Sequence, residues 1–269
     1  MLRNRRNSPD TLSFENRHFA SPLKLLEVII RSFIFNVTFF ITFPLLLILN
    51  SPALLLKRPP FYFAKLGTGH TLWLLKVICG LKYKVDGLEN VPEGKCIFAS
   101  KHQSAWDTVI FQYLFPKAIY VLKKELLRIP FYGNFIKKFG MIGIDRKEGR
   151  KSLATLIAQA RIIAEQDRKI IIFPEGSRTQ PFEKATYHKG IYLLYKDLKT
   201  CPVVPVALNS GVFWGRRSFL RWPGVITIRF LKPVAQGLEA DQFMSHLEDR
   251  IENESKELLS SLNKSMRTA

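Results

Sequence analysis

Residues 169–178 read Lys169-Ile-Ile-Ile-Phe-Pro-Glu-Gly-Ser-Arg178, an apolar run that ends abruptly in a polar turn. Four large apolar residues in succession leave no face for water, so the run is typical of a strand in a sheet covered on both sides. The turn after it contains Gly176, which permits close approach of the backbone. This stretch therefore predicts a buried strand whose carboxyl end opens into a polar loop.

Short apolar runs and amphipathic segments alternate on both sides of this strand. The expected further strands are 96–99, 118–122, 141–144, 203–208 and 225–231, and the expected helices are 106–115, 131–139, 152–165 and 241–259. Such alternation predicts an α/β fold with a mixed, largely parallel sheet flanked by helices. Pro205 lies inside one of the expected strands, which favours an edge or bulge position for that strand.

The chain has 269 residues and a formal net charge of +19. This length allows one large domain with a full core, and we expect that domain at 83–269 behind an N-terminal attachment at 1–82. The charge favours an anionic partner, such as nucleic acid, a phospholipid surface or a phosphorylated substrate. The aromatic residues lie mostly in apolar runs and no nucleic-acid-binding motif occurs, so a nucleic-acid binder is disfavoured.

The cysteines are Cys79, Cys96 and Cys201. They are odd in number, widely separated and without paired metal-ligand spacing, so they predict neither a disulfide framework nor a zinc site. Each is expected to be a small buried apolar residue rather than a nucleophile. This usage fits a reducing, cytoplasmic-facing location.

The N-terminal segment contains a long apolar run. No charged residue occurs from Ser32 to Leu49, and a helix of that length reaches roughly 27 Å, close to the hydrocarbon thickness of a bilayer. Pro44 interrupts the run, and basic residues flank it on both sides, namely Lys24, Arg31, Lys57 and Arg58. Positive charge on both flanks gives no clear orientation. A re-entrant or interfacial helix pair with both ends on the cytoplasmic side fits this pattern better than a single span, which remains the alternative.

A second apolar stretch, Leu72–Leu81, has Trp73 and Lys76 as interfacial residues. It either rests on the same membrane surface or forms an ordinary core helix. The basic excess of the chain favours an anionic leaflet, because each Lys or Arg near such a surface contributes about 1 kcal/mol of attraction.

His102 follows an expected strand and precedes an expected helix, a position where a side chain projects into a cleft at the carboxyl end of a sheet. Asp107 lies five residues on, so the two meet only if His102 sits in the turn before the helix; Ser104 as N-cap supports this. An Asp so placed fixes the imidazole tautomer and stabilises the imidazolium, which makes His102 a general base. Taken alone, such a pair is more often a structural histidine beside a solvated aspartate.

Other charged residues follow expected strands in the same way. Arg178 is suited to bidentate recognition of a phosphate, and Glu175 can orient it or bind an acceptor hydroxyl. Arg146, in Asp145-Arg146, offers a second cation, and Lys124 adds positive charge after another strand. A surface ion pair is the alternative for the Glu175 and Arg146 loops, and a solvated face is the default for Lys124.

Together these blocks resemble the 1-acyl-sn-glycerol-3-phosphate acyltransferase family over about residues 84–233. The family's His-x4-Asp motif corresponds to His102 and Asp107, its phosphate-site arginine to Arg146, its Pro-Glu-Gly-Thr/Ser-Arg block to Pro174–Arg178, and its apolar proline-containing block to Val203–Val206. Four blocks in the family's order make the resemblance highly specific.

The resemblance implies that His102 deprotonates an acceptor hydroxyl for attack on an acyl thioester, with Asp107 assisting and no covalent acyl-enzyme. The candidate substrate-binding residues are Arg146, Glu175, Gly176, Ser177, Arg178 and Lys124. The expected acceptor is lysophosphatidate, the product phosphatidate, and the donor acyl-CoA or an acyl carrier protein thioester, with no metal or other cofactor. The expected location is the cytoplasmic face of a membrane, the inner membrane in a bacterium, with the N-terminal helical pair in one leaflet.

One residue departs from the family pattern. The position before the histidine, commonly Asn in this family, is Lys101. A cation there keeps the base unprotonated if it points inward, or simply faces solvent. The acceptor is therefore less defined than the reaction type: an acyltransferase for another lysolipid or an aminolipid is one alternative, and a non-catalytic membrane-surface adaptor is another.

Overall fold

A computed structural model of the chain describes residues 21–56, 61–183 and 185–267. The strands are β1 (Leu81–Asp86), β2 (Ile97–Ser100), β3 (Ile119–Lys123), β4 (Ile142–Ile144), β5 (Ile170–Ile172), β6 (Val203–Leu208) and β7 (Gly224–Phe230). The α-helices are α1 (Pro22–Leu49), α2 (Phe61–Cys79), α3 (Trp106–Leu114), α4 (Tyr132–Lys138), α5 (Arg150–Glu165), α6 (Gly190–Asp197), α7 (Ser210–Phe213) and α8 (Ala240–Arg267).

The strands form one seven-stranded sheet in the order β1-β7-β6-β2-β5-β3-β4. Neighbouring strands are parallel except β6 and β7, which pair antiparallel. The sheet is therefore mixed and largely parallel, with helices on both faces, as the alternating pattern predicted. The central strands are buried at every position, because both of their faces carry packed side chains.

Successive residues of each central strand point to opposite faces. In β2, Phe98 belongs to a core that also contains residues of α1, α2 and α3. Ile97 and Ala99 belong to the core on the other face, which is formed with α5, α6 and α8. The sheet thus separates two apolar layers, and the residues that follow each strand emerge between them at its end.

The expected position of Pro205 at an edge or bulge was wrong. Its strand, β6, lies inside the sheet between β2 and β7. The proline is tolerated because pairing with β7 covers only Val206 to Leu208, and Pro205 lies one residue beyond it. There its carbonyl accepts a hydrogen bond from Leu231 N at 2.9 Å. Because β7 ends at Phe230, the N–H that proline lacks is not needed for the ladder of β7.

All the expected strands and helices are present, with ends displaced by a few residues, except that α8 continues eight residues beyond the expected helix, to Arg267. The expected set omitted β1, α6 and α7. β1 is an edge strand whose Lys82 and Lys84 are exposed. Lysine on an edge strand discourages pairing with other chains, and it also weakens the apolar signal in the sequence.

Helices α1 and α2 form an antiparallel pair. Thr42 Oγ1 lies 2.9 Å from His70 Nε2, and Arg31 Nη1 donates to Ile78 O at the other end of the pair. Helix α1 continues through Pro44 and is long and apolar enough to cross a membrane, with 11% of its most apolar window buried. The expected second stretch is half core and half surface, because Leu74 and Leu75 are buried in α2 whereas Trp73 is 57% exposed. Lys57 and Arg58 lie outside the described residues.

The N-terminal half of α1 is attached to the sheet domain through Arg221. Ser32 Oγ accepts a hydrogen bond from Arg221 N at 2.9 Å, and the guanidinium lies 4.9 Å from the ring centre of Phe35 and 4.6 Å from that of Trp214. Burial lowers the pKa of Arg221 to about 10, so it stays charged at neutral pH and its attraction to both rings is retained. The contact ties α1 to the segment that follows β6 and α7.

The cysteines are buried and free, as predicted. Burial raises the pKa of Cys96 to about 12 and those of Cys79 and Cys201 to about 11, which keeps each thiol protonated and unreactive. Within the described ranges, no group of three or more His, Cys, Asp or Glu is placed to hold a metal ion.

Candidate active site

The candidate site lies at the carboxyl ends of three adjacent parallel strands in the middle of the sheet. His102 follows β2, the loop 173–179 follows β5, and Ser210 follows β6. β5 and β6 flank β2 and run parallel to it. The three segments therefore leave the sheet side by side, in the crevice where open α/β sheets bind ligands.

The side chains of His102 and Asp107 are hydrogen-bonded. His102 Nδ1 lies 2.9 Å from Asp107 Oδ2, the imidazole is 13% exposed and the carboxylate is fully buried. Because a carboxylate accepts, Nδ1 carries the proton and the lone pair is on Nε2, the arrangement required for a general base. His102 precedes α3, which begins at Trp106, and this turn brings together two residues that a continuous helix would separate.

Asp107 is held by donors on both of its oxygens. Oδ2 also accepts from Gln103 N at 2.8 Å and from Ser104 N at 2.9 Å, and Oδ1 accepts from Ser210 Oγ at 2.6 Å. These bonds fix the carboxylate so that it can orient the imidazole. The expectation that Ser104 is the N-cap was wrong by one residue: the N-cap is Ala105, and Ser104 Oγ accepts from Trp106 N at 3.1 Å.

The imidazole ring of His102 lies on the ring of Phe173. The ring centres are 3.9 Å apart and the planes are inclined by 16°. Phe173 is in turn stacked on Tyr120, whose hydroxyl donates to Thr108 O at 2.6 Å. Burial raises the pKa of Tyr120 well above its usual value, so this aromatic floor is uncharged. It restricts rotation of the imidazole and leaves its edge towards the crevice.

Gly176 has a φ of +69°, a left-handed conformation that residues with a Cβ rarely adopt, and its N–H donates to Phe173 O at 2.9 Å. The tight turn returns Glu175 to the protein interior. Glu175 Oε1 accepts from His102 N at 2.7 Å, and Oε2 accepts from Thr179 Oγ1 at 2.5 Å. Burial, partly offset by Lys101, raises the pKa of Glu175. The carboxylate thus holds the backbone of His102.

Lys101 points inward, but away from the imidazole. Its ammonium donates to Glu252 Oε1 of α8 at 2.7 Å and to Glu175 Oε2 at 3.3 Å. Tyr187 Oη donates to the same Glu252 oxygen at 3.1 Å. Lys101 is 1% exposed, so the solvent-facing alternative was wrong.

The candidate substrate-binding cations all follow the carboxyl ends of parallel strands, at the same end of the sheet as His102. Arg178 is partly exposed and Ser177 is exposed, both in the loop beside His102. Arg146 follows β4, three strand spacings from β2, or roughly 14 Å along the sheet. Lys124 follows β3, is exposed, and lies 3.5 Å from Glu148 Oε1. Arg178 thus follows the strand next to β2, whereas Lys124 and Arg146 follow the next two strands along the sheet.

The sequence analysis gave no role to Ser210, Thr179, Tyr187 or Glu252. Ser210 and Thr179 lie directly after β6 and in the β5 loop, so a search for hydroxyl residues after strands would have found both. Glu252 and Tyr187 lie on a charged helix and in a loop, where their sequence neighbourhood carries no such signal.

Residues 82–209 match the model of the Acyltransferase family. Over 157 residues, 58% of this chain, the sequence is 35% identical to the 1-acyl-sn-glycerol-3-phosphate acyltransferase of Pseudomonas aeruginosa, covering 61% of that protein. Over 193 residues, 69% of this chain, it is 28% identical to the enzyme of the same name from Saccharomyces cerevisiae, covering 63% of it. The matched region therefore spans less than two thirds of the length of these curated relatives.

The fold is similar to a crystal structure of the 1-acyl-sn-glycerophosphate (LPA) acyltransferase PlsC from Thermotoga maritima. The TM-score is 0.69 and the sequence identity 18%, and the similarity covers 85% of this chain and 96% of that one. The mixed sheet and its flanking helices are therefore an architecture already seen in a solved structure.

Proposed function

We propose that the chain is an acyltransferase that transfers a fatty acyl chain from an acyl thioester to the sn-2 hydroxyl of 1-acyl-glycerol-3-phosphate, giving phosphatidate. The match of residues 82–209 to the Acyltransferase family model supports this proposal. The observation that carries the proposal is the hydrogen-bonded His102–Asp107 pair. Arg178 lies in the adjacent loop, next to Thr179, whose N–H donates to His102 O. The names of the relatives support lysophosphatidate as the acceptor.

His102 Nε2 takes the proton of the acceptor hydroxyl as that oxygen attacks the thioester carbonyl. Asp107 stabilises the imidazolium while the tetrahedral intermediate exists. When the intermediate collapses, the carbon–sulfur bond breaks, and the imidazolium returns its proton to the departing thiolate. The ester forms without an acyl-enzyme, and His102 is ready for another cycle.

Arg178 and Arg146 would bind the acceptor phosphate, with Lys124, Gly176 and Ser177 lining the approach. Arg178 is suited to bidentate contact with phosphate oxygens. Acyl-CoA or acyl carrier protein would supply the thioester, and the reaction needs no metal or other cofactor.

The first experiment measures thioester consumption by purified protein with lysophosphatidate, followed by analysis of the lipid product. Phosphatidate is the expected product. Activity on a different lysolipid or an aminolipid, but not on lysophosphatidate, would keep the mechanism and replace the acceptor. Inactivity on every acceptor would favour a membrane-surface adaptor.

Arg178→Gln should raise the KM for lysophosphatidate about tenfold or more, because a glutamine cannot make the charged bidentate contact. The KM for the acyl donor should change little. Arg161→Gln is a matched control, because Arg161 is an exposed arginine of α5 that pairs with Asp197 on the protein surface. Equal KM values in Arg178→Gln and wild type would remove Arg178 from the phosphate site.

We also propose that residues 1–82 attach the protein to the cytoplasmic face of a membrane and that 83–269 form the catalytic domain. The exposed side chains of α1 include Phe33, Val37, Phe40 and Ile41, which share one helix face. Such a face, together with the basic charge of the chain, fits an anionic leaflet. In a bacterium this would be the inner membrane.

Phe40→Ser with Ile41→Ser should weaken binding to vesicles of phosphatidylglycerol and phosphatidylethanolamine roughly 100-fold, since two apolar side chains would together contribute about 3 kcal/mol. They are 69% and 63% exposed and therefore available to lipid. Ile162→Ser with Val225→Ser is the matched control, at exposed positions on the sheet domain. Unchanged sedimentation of the α1 variant with vesicles would contradict this surface.

A further inference from the structure

A buried polar cluster lies directly behind His102. We call Lys101, Glu175, Glu252, Tyr187 and Thr179 the Lys101 cluster. The ammonium of Lys101 lies between the carboxylates of Glu175 and Glu252, and the side chains of Lys101 and Glu175 are 2% and 0% exposed. Glu252 is on α8, 151 residues further along the chain than Lys101. The cluster therefore joins the last helix to the segment that carries the imidazole.

Lys101 and His102 point to opposite sides of the extended segment after β2. His102 reaches Asp107 of α3 on one side, and Lys101 reaches Glu252 of α8 on the other. Lys101 N donates to Val206 O at 3.0 Å, so the sheet holds the backbone between the two side chains. A displacement of the Lys101 side chain therefore acts on His102 through the backbone.

Glu175 completes the connection. One oxygen accepts from His102 N, and the other accepts from Lys101 and Thr179. Thr179 N also donates to His102 O at 2.9 Å, so both backbone polar groups of His102 are bonded to this loop. With both oxygens engaged by protein donors, Glu175 is placed to position the histidine rather than to bind the acceptor.

One ammonium serves two buried carboxylates in this cluster. Buried charges need close partners of opposite sign, and removing one partner leaves the others to rearrange. Without the charge of Glu252, Lys101 would be drawn towards Glu175 alone. That shift would pull Glu175 away from His102 N and move the imidazole.

We propose that Lys101 and Glu252 form a positioning pair that sets His102 for proton transfer through Glu175, so that α8 contributes to catalysis without touching substrate. The proposal rests on the acyl-transfer function proposed above. It gives a role to the lysine that departs from the family pattern, and it assigns the C-terminal helix to the catalytic machinery.

The test compares two substitutions on the same helix. Glu252→Gln removes the charge next to Lys101 and keeps an acceptor oxygen. Glu254→Gln is the matched control, because Glu254 Oε2 accepts from Arg229 Nη1 at 2.8 Å, an ion pair that has no link to His102. We expect Glu252→Gln to lower kcat about 10- to 100-fold with both KM values within twofold, and Glu254→Gln to leave kcat unchanged. Equal losses in the two variants, or a wild-type kcat in Glu252→Gln, would overturn the proposal.

A triple variant separates positioning from folding. Lys101→Met with Glu175→Gln and Glu252→Leu removes the ammonium together with both carboxylates, so no buried charge is left unpaired, a change that commonly leaves stability equal or higher. We expect its unfolding temperature to match or exceed that of wild type while kcat stays as low as in Glu252→Gln. A triple variant with wild-type kcat would overturn the positioning role.

A spectroscopic measurement tests the pair independently of the reaction. Protein labelled with ¹⁵N-histidine gives amide signals from five histidines, and His102→Gln identifies the one from His102. That amide should move in Glu252→Gln and in Lys101→Met, and stay in place in Glu254→Gln. If the amide signal of His102 did not shift in Glu252→Gln, the positioning pair would be overturned, whatever acceptor the protein uses. If the signal shifted but the protein were inactive on every acceptor, only the proposed acyl-transfer function would be lost.

Discussion

His102→Ala should lose acyl transfer by about 10³-fold or more, because it removes the group proposed to take the proton of the acceptor hydroxyl. General base catalysis commonly contributes 10²- to 10⁴-fold, and alanine removes both the base and its contact with Asp107. The KM values should change much less than kcat, since the ring lies at the edge of the crevice. The measurement is thioester consumption with lipid product analysis.

His246→Ala provides the control for this substitution, because His246 is an exposed histidine on α8. Circular dichroism and the unfolding temperature should be the same for both variants and wild type. If His102→Ala keeps more than a tenth of the wild-type kcat, His102 is a structural histidine and another group must act as the base.

The strands that build the site could be predicted because their apolar runs are local. Ile170–Ile172 and Val203–Leu208 are buried at every position, and that continuous burial is what an apolar run records. The ends of such strands then predict where charged residues gather. This reasoning placed His102, Glu175 and Arg178 at the carboxyl ends of their strands, and the structure brings together the two segments that carry them.

The partners that hold the site could not be predicted, because they come from distant parts of the chain. Ser210 lies 103 residues from Asp107, and Glu252 lies 151 residues from Lys101. Periodicity shows which face of α8 is apolar, but it does not show that one acidic residue near that face is buried beside a lysine. Long-range pairing of polar groups depends on the packing of helices on the sheet, which local pattern does not determine.

The sequence analysis did not decide whether the side chain of Lys101 points inward or to solvent, although the alternation of side chains along a strand could have decided it. Residues alternate between the faces of a strand, and that alternation continues through Ser100 into residues 101 and 102. If His102 faces α3, Lys101 must face the opposite layer. The error over Pro205 has a similar origin: a proline excludes a ladder bond only at its own position, and the extent of the neighbouring strand decides whether that bond is needed.

Asp107→Asn should lower kcat about 10³-fold while leaving the fold and both KM values close to those of wild type. Asparagine is nearly isosteric, and its single carbonyl oxygen can still accept from His102 Nδ1, Gln103 N and Ser104 N, which all bond to Oδ2 in the wild type. The negative charge is lost, so the imidazolium that forms during proton transfer has no ionic partner in a buried site.

Ser210→Ala distinguishes charge from orientation at the same carboxylate. It removes the 2.6 Å bond to Asp107 Oδ1 and keeps the charge, so we expect only about a tenfold loss of kcat. Asp197→Asn is the control for the loss of one negative charge, because Asp197 pairs with Arg161 on the protein surface. If Ser210→Ala were as damaging as Asp107→Asn, the position of the carboxylate rather than its charge would dominate catalysis. If Asp107→Asn kept kcat within tenfold of wild type, His102 would act without an ionic partner, and Asp107 would serve only to shape the turn before α3.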